Sequence, residues 1–320
     1  MVVEKAIADY TDFRIPGIVA TEQGTLIRYC ECRRSRDDWA DIDIKVVRSG
    51  DEGNTWQPVL LIESGGNTLN NPVMFVDGDQ IVFLYCKNYK EIWKRISVDD
   101  GKSFGDAERV DFESSVHFFY NVVAVGPGHG IAYQGRLIVP VWFAYNEQNE
   151  KSHHPSFIST LYSDDRGKTW RVGEPIFRNE LRNPSECALA ITAKNEVLIS
   201  IRHEGDIKKR GLAKSADGIS AWRELCFEEK LSDPVCMGSM AHRDGRIYHS
   251  NCDSASSRIN LKVKISDDCF KTCRDISVSE VGGYSDIALL GDKICIFYER
   301  TNAQGAFELH FEVIETSQEL

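Results

Sequence analysis

Apolar residues in this chain come in short runs rich in Val, Ile, Leu, Phe and Tyr, and most runs end in a cluster of Gly, Asp or Asn. The clearest are 27–32, 42–48, 80–86, 136–142, 157–163, 196–202, 258–266 and 293–300. Apolar runs bounded by turn formers predict β-strands. No segment carries the spacing of a long amphipathic helix, and none approaches the uninterrupted apolar length that spans a bilayer. The polar run 146–154, NEQNEKSHH, predicts an exposed loop. The pattern is that of an all-β protein.

Several of these strands run into one repeated turn motif. Ser49, Asp51, Gly53, Thr55 and Trp56 spell S-x-D-x-G-x-T-W, as do Ser163, Asp165, Gly167, Thr169 and Trp170. Ser97, Asp99, Gly101, Ser103 and Phe104 form a third complete copy that ends in S-F. Two worn copies follow. One keeps Ser215, Asp217 and Trp222 with Ile219 at the glycine position; the other keeps Ser266, Asp268 and Thr272 with Phe270 at the glycine position and Cys273 at the aromatic one. The physical logic is local. Asp and Ser hydrogen-bond backbone N–H groups within a tight turn, Gly takes a backbone conformation costly to other residues, and the aromatic ring plugs an apolar gap beside the turn. The copies start roughly 48 to 66 residues apart, the scale of one supersecondary unit. Units of about fifty residues over this length predict a six-bladed β-propeller with Asp-box turns, a single closed domain over 1–320. One blade then lacks a box, or carries one too eroded to read. Such boxes are structural, and they leave the function open.

Charge and cysteines narrow the partners. The 49 acidic and 38 basic residues give a net charge of −11, which disfavours nucleic acid and anionic membrane as partners. An anionic small substrate remains compatible, because a local arginine cluster outweighs a distant negative surface. The ten cysteines are scattered, without the paired C-x-x-C spacing of a zinc site, so neither a metal nor another cofactor is expected. Cys30 and Cys32, two apart in a strand, read as packed reduced thiols. The opening MVVEKAIADYTDFRIP has acidic residues and no apolar core, so it does not read as a signal peptide. The expectation is a reduced, cytoplasmic protein, although a secreted chain with its leader trimmed reads the same.

The unrepeated residues carry the chemistry. Phe13-Arg14-Ile15-Pro16-Gly17-Ile18 precedes the first box, and Asp38-Trp39-Ala40-Asp41-Ile42-Asp43 leads into it. Gly126-Pro127-Gly128-His129-Gly130-Ile131 is followed by Gly135-Arg136-Leu137, and Asn183-Pro184-Ser185-Glu186 by Ile201-Arg202. Arg258-Ile259-Asn260-Leu261, Gly283-Tyr284-Ser285-Asp286 and Phe297-Tyr298-Glu299 complete the series. In this order, over about residues 10 to 310, the strings resemble the sialidase (exo-neuraminidase) superfamily.

The resemblance implies a retaining exo-α-sialidase acting on terminal α-linked sialic acid of oligosaccharides and glycoconjugates. Sialic acid carries a carboxylate on its anomeric carbon, and arginine binds carboxylate bidentately while staying charged. Arg14, Arg202 and Arg258 match the family's three arginines, and Glu299 the carboxylate that holds the first. A neutral phenol attacks beside that carboxylate without like-charge repulsion, and sialidases use tyrosine as nucleophile. Tyr284 matches it, with Glu186 as the base that takes its proton. Asp38 is the expected acid and later base, with Asp41 the next choice and Asp37 and Asp43 close by. Arg33 is an expected substrate contact, with Arg34 its competitor. Trp39, Phe118, Phe119 and Tyr120 either line the pocket or pack between blades. His153, His154 and Pro155 lie in a loop that either meets substrate or stays in solvent. Other readings stay open: a related enzyme on another nonulosonic acid, an intramolecular trans-sialidase, or a non-catalytic sialoside-binding propeller.

Overall fold

The computed structural model describes residues 2–4, 9–114 and 118–316; the outermost residues of the expected span 1–320 lie outside the described part. Six sheets follow one another along the chain. Blade one is Asp12–Ala20, Leu26–Arg33, Ile42–Ser49 and Gln57–Ile62. Blade two is Leu69–Asp77, Gln80–Lys87, Glu91–Ser97 and Glu108–Val110. Blade three is built on Val122–Val125, Arg136–Ala144, Ser156–Ser163 and Trp170–Val172. Blade four is Cys187–Ile191, Val197–Ile201, Lys209–Ser215 and Arg223–Ser232, and blade five Ser239–Arg243, Arg246–Cys252, Ile259–Ser266 and Arg274–Val281. Blade six takes Ser285–Leu290, Lys293–Thr301 and Phe307–Glu315 from the chain's end, and Val2–Glu4 from its start as the fourth strand. Neighbouring blades touch in turn through their first strands, except that Cys187–Ile191 of blade four meets Arg136–Ala144 of blade three, and the first strand of blade six returns to that of blade one. This is a closed six-bladed β-propeller, without an α-helix among the described residues.

Burial explains why the strands read as they do. Leu26–Arg33, the second strand of blade one, is buried at every position, because neighbouring blades cover both its faces. The fourth strand Arg223–Ser232 is buried only at Leu231 and otherwise half-buried or exposed. Apolar runs without alternation therefore mark inner strands, and polar-rich strands mark the rim.

Each box forms the turn between the third and fourth strands. In the first, Asp51 accepts from the Thr55 amide (2.8 Å) and hydroxyl (2.6 Å), while Ser49 Oγ accepts from Gly53 N (2.9 Å). These donors to the carboxylate hold Asp51 down at about 2. The turns also lean on the preceding blade. A Cβ on Gly101 would meet Ile27 Cδ1 at 2.2 Å, and one on Gly53 would meet Phe311 Cε1 at 2.4 Å.

The worn boxes work by different substitutions. In the fourth, Gly218, not the position of Ile219, takes the left-handed conformation (φ 74°), and its amide reaches Ser215 Oγ at 3.0 Å. The glycine is retained one residue earlier, in a turn shortened by one, so the loss read from the sequence is corrected. In the fifth, Phe270 itself adopts φ 70° and keeps the Ser266 contact (2.8 Å). Its fully buried ring joins Ala190, Leu198 and Ile247 between blades four and five. Blade six has no box for a topological reason: its fourth strand comes from the other end of the chain, so no turn connects it to the third.

The G-P-G-H-G stretch makes a detour. Val122–Val125 and Ile131–Tyr133 both pair with Arg136–Ala144, but the intervening Gly128–His129 pairs with Leu69–Asp77 of blade two. This carries His129 to the centre of the ring, where its Nδ1 meets Asp286 Oδ1 at 2.8 Å. Asp286, fully buried, also accepts from Ile18 N (2.8 Å) and Ser239 Oγ (2.5 Å). One carboxylate thus ties blades one, five and six to the detour.

Two outcomes follow from these contacts. Phe270→Gly restores the box consensus yet is expected to destabilise: losing the buried ring costs about 3–5 kcal/mol, of which relief of the left-handed backbone returns about 1 kcal/mol. Equilibrium urea unfolding reads the difference. Burial lowers the His129 pKa, but the Asp286 charge outweighs it and the net shift is upward. A raised pKa contributes stability that is full below the ordinary value near about 6.5 and fades as pH rises through the folded value. Wild type should therefore lose stability across that window relative to His129→Gln, measured as melting temperature against pH; parallel curves would refute the coupling.

Candidate active site

Strands alternate in direction within each blade, so the turns between second and third strands open on the face opposite the boxes. That face holds a cavity with about 700 Å³ of free space, open to solvent. Its walls bring together Arg14, Arg33, Asp38, Glu186, Arg202, Arg258 and Tyr284 from four blades. Glu299, the remaining predicted site residue, lies directly behind, fully buried.

Tyr284 is the floor. Its hydroxyl donates to Glu186 Oε1 (2.8 Å) and accepts from Arg202 Nη1 (3.0 Å). Arg202 also pairs with Glu186 Oε2. The guanidinium carbons of Arg258 and Arg14 sit 5.0 and 5.1 Å from the centre of the Tyr284 ring. Burial pushes the Tyr284 phenol well above its ordinary value, and Arg202, Arg258 and Arg14 pull it only part of the way back. The phenol is therefore neutral at rest, with the Glu186 carboxylate as its hydrogen-bond acceptor.

The three arginines differ in their support. Arg14 is held bidentately by Glu299, Nε to Oε1 at 3.1 Å and Nη2 to Oε2 at 3.2 Å. The same carboxylate accepts from Ile15 N (3.0 Å) and Tyr284 N (3.2 Å). Gly283 makes this possible, since a Cβ there would lie 2.8 Å from Glu299 Oε2. Arg202 shares Glu186 with the tyrosine. Arg258 has no salt bridge among the described residues; it donates to the Val235 carbonyl at 3.4 Å and faces the cavity. Four guanidinium groups and three carboxylates (Asp38, Glu186 and Glu204) line the cavity, with Glu299 and Glu31 pairing Arg14 and Arg33 from behind it, so it is the guanidinium groups at the wall, and above all Arg258 with no salt bridge among the described residues, that suit this site to an anion.

Asp38 and the three aspartates near it differ in where they lie. Asp38 lines the cavity, 39% exposed, with Oδ1 on Arg33 Nη1 at 2.8 Å. Asp37 instead caps the amide of Trp39 (2.8 Å). Asp41 pairs with Arg34 and the Ser64 hydroxyl, and Asp43 accepts from Tyr10, Arg34 and Ser64 N. Arg34 therefore serves these two carboxylates outside the cavity, whereas Arg33 is buried in its wall, gripped by Glu31 at 2.6 Å. Burial raises the Asp38 carboxyl, but the charge and hydrogen bond of Arg33 outweigh this and hold it below its ordinary range.

The aromatic candidates separate in the same way. Trp39 stacks on His153, ring centres 4.4 Å apart, and meets Tyr89 at 5.0 Å; His153, Tyr89 and Trp142 line the cavity. Burial lowers the His153 pKa, which keeps its ring neutral. Phe118 and Tyr120 pack on Phe143 at 4.8 and 5.2 Å, within blade three, Phe119 is 59% exposed, and His154 and Pro155 are exposed outside the wall. The wall residues Asn71, Tyr89, Trp142 and Glu204 had no part in the sequence reading, and Asn183 and Ser185 entered it only as letters of the string before Glu186. Asn71 and Asn183 sit at positive φ (51° and 45°), a conformation asparagine tolerates, and that is the one local hint they offer.

With this geometry in place, the comparisons are direct. A family profile described as a BNR repeat-like domain matches residues 18–296. A sialidase of Bacteroides fragilis is 25% identical, over 92% of this chain and 61% of its own length; the chain thus spans less than two thirds of that relative. The solved structure of the Hadza microbial sialidase Hz136 superposes with a TM-score of 0.82 at 22% identity, covering 96% of this chain and 66% of its own. Trypanosoma rangeli sialidase in complex with 2,3-difluorosialic acid, a covalent intermediate, gives 0.74 at 19%, covering 97% and 56%. The chain belongs to the BNR repeat-like domain family, within the sialidase superfamily.

Proposed function

We propose that this protein is a retaining exo-α-sialidase that hydrolyses terminal α-linked sialic acid from oligosaccharides and glycoconjugates, working as one propeller domain in a reducing, cytoplasmic setting. The observation that carries the reading is the Tyr284 hydroxyl, lodged between Glu186 and Arg202 beneath the Arg14 and Arg258 guanidinium groups. Carbohydrate sites have no need of three arginines; a sugar acid does. All ten cysteines are free thiols, which supports the reducing setting.

In this mechanism Arg14, Arg202 and Arg258 take the substrate carboxylate and orient the anomeric carbon above Tyr284. The phenol oxygen forms a bond to that carbon as its proton passes to Glu186. The bond to the leaving oxygen breaks as Asp38 protonates it. Arg33 holds Asp38 ionised in the open site; substrate carboxylate and excluded water oppose that effect and favour the protonated acid. In the second half, Asp38 takes a proton from water, water oxygen bonds to the anomeric carbon, and the tyrosine leaves with its proton returned by Glu186. Two displacements give retention.

The first test is hydrolysis of a fluorogenic sialoside with product analysis by NMR. Wild type should release the α-anomer of free sialic acid, whereas a 2,7-anhydro product would assign intramolecular transfer. Tyr284→Phe should lower kcat by at least about 10³-fold while sialic acid still binds in calorimetry; undiminished hydrolysis would exclude the tyrosine as nucleophile. Asp38→Asn should cost about 10²–10⁴-fold on alkyl sialosides, whose leaving oxygen needs a proton, and far less on an aryl sialoside with an acidic phenol. Equal losses on both substrates would remove Asp38 from the acid role.

A further inference from the structure

Arg210 lies in the third strand of blade four, fully buried, and does not line the cavity. A buried guanidinium is costly, by several kcal/mol after relaxation, and well-packed apolar residues often replace buried ion pairs without loss of stability. Its presence therefore calls for a reason beyond cohesion.

Its contacts supply one. Nε donates to Ser200 Oγ at 3.0 Å, and Nη2 to the Ser200 and Glu186 carbonyls at 3.1 and 3.4 Å. Nη1 donates to Asp233 Oδ2 at 3.3 Å and to the Cys236 carbonyl at 2.9 Å. Each nitrogen of the planar fork is matched by acceptors, a pattern that lysine cannot reproduce. Two of those acceptors adjoin the site. Glu186 carries the carboxylate that receives the Tyr284 proton. Cys236 follows Val235, whose carbonyl accepts from Arg258.

The second segment is strained. Val235 adopts φ 61°, an outlier for a β-branched residue, which persists only where surrounding contacts over-determine it. Cys236 N bonds to Asp233 Oδ1 at 2.9 Å, and Arg210 grips both Asp233 and the Cys236 carbonyl. The far side is fixed too. Burial, and then the Arg210 charge, lower the His249 pKa well below its ordinary value, so a neutral His249 Nε2 can accept from Ser200 Oγ at 3.1 Å. That leaves the Ser200 oxygen lone pairs to Arg210.

We propose that Arg210 is a positioning residue that sets Glu186 at the Tyr284 hydroxyl and Arg258 over its ring through the Glu186 carbonyl and the 233–236 turn. It holds the base of Glu186 within reach of the phenol and keeps Val235 in the conformation that supports Arg258. The inference rests on the sialidase reading for its effect on turnover, but its geometric content stands apart from it.

The test places 3-fluorotyrosine at position 284 and records its ¹⁹F resonance in otherwise wild-type protein, in Arg210→Lys and in Asp233→Asn, alongside melting temperature and sialoside kinetics. Displacement of Glu186 from the phenol should move the resonance in both variants and lower kcat by about 10- to 100-fold, with Arg210→Lys the more affected. A purely structural Arg210 would lower the melting temperature and leave the resonance and kcat of the folded protein unchanged, which overturns the proposal. Should Arg210→Lys fail to fold, Asp233→Asn decides by the same two readouts. A resonance that moves in a protein whose wild type has no sialoside turnover refutes the sialidase reading and supports the positioning role.

Discussion

The carboxylate of Glu299 accepts four hydrogen bonds, from two nitrogens of Arg14 and from the backbone amides of Ile15 and Tyr284. The arginine comes from the first strand of blade one, the tyrosine from the approach to blade six, and Glu299 from the second strand of blade six. A fully buried carboxylate without partners is prohibitively costly, so these four donors cannot part without exposing the cost. One group therefore joins the seam where the ring closes to the orientation of Arg14 and Tyr284. The propeller and its site share this constraint.

Electrostatics then divide the labour among the remaining charges. Arg14 and Arg202 are neutralised by buried or half-buried carboxylates, so their guanidinium groups are fixed in place before any ligand arrives. Arg258, supported by a single carbonyl, keeps its charge uncompensated. Pre-organised cations around a neutral phenol favour a bound anion without rearrangement. The box turns lie on the opposite face, where their carboxylates are satisfied locally and do not compete.

Much of the fold was legible because the boxes are local. A Ser, an Asp and a left-handed residue within a few positions leave a sequence trace, and their spacing reports the blade count. Two details were hidden by the same locality: a one-residue slip moved the fourth box's glycine to Gly218, and the missing sixth box follows from connectivity between chain ends. In the site, Arg14, Glu186, Arg202, Arg258 and Tyr284 stood in recognisable strings, and the cavity wall gathers them. Asp38 could be separated from Asp37, Asp41 and Asp43 only once their partners were visible. Arg210, Glu31 and Asn71 left no trace, since a buried polar residue in an apolar strand looks like any rim residue until its acceptors are known.

Ring closure by Val2–Glu4 against Phe307–Glu315 pairs residues separated by nearly the whole chain, with Val2 opposite His310. Contacts between adjacent strands of a hairpin form early, whereas contacts of such sequence separation are slow because loop entropy opposes them. Until Val2–Glu4 docks, Phe307–Glu315 is an unpaired ladder of backbone donors and acceptors open to strands of other molecules. The three residues that cover it act as a latch on the assembled ring, and they leave a three-residue edge in place of a nine-residue one, too short to template another chain.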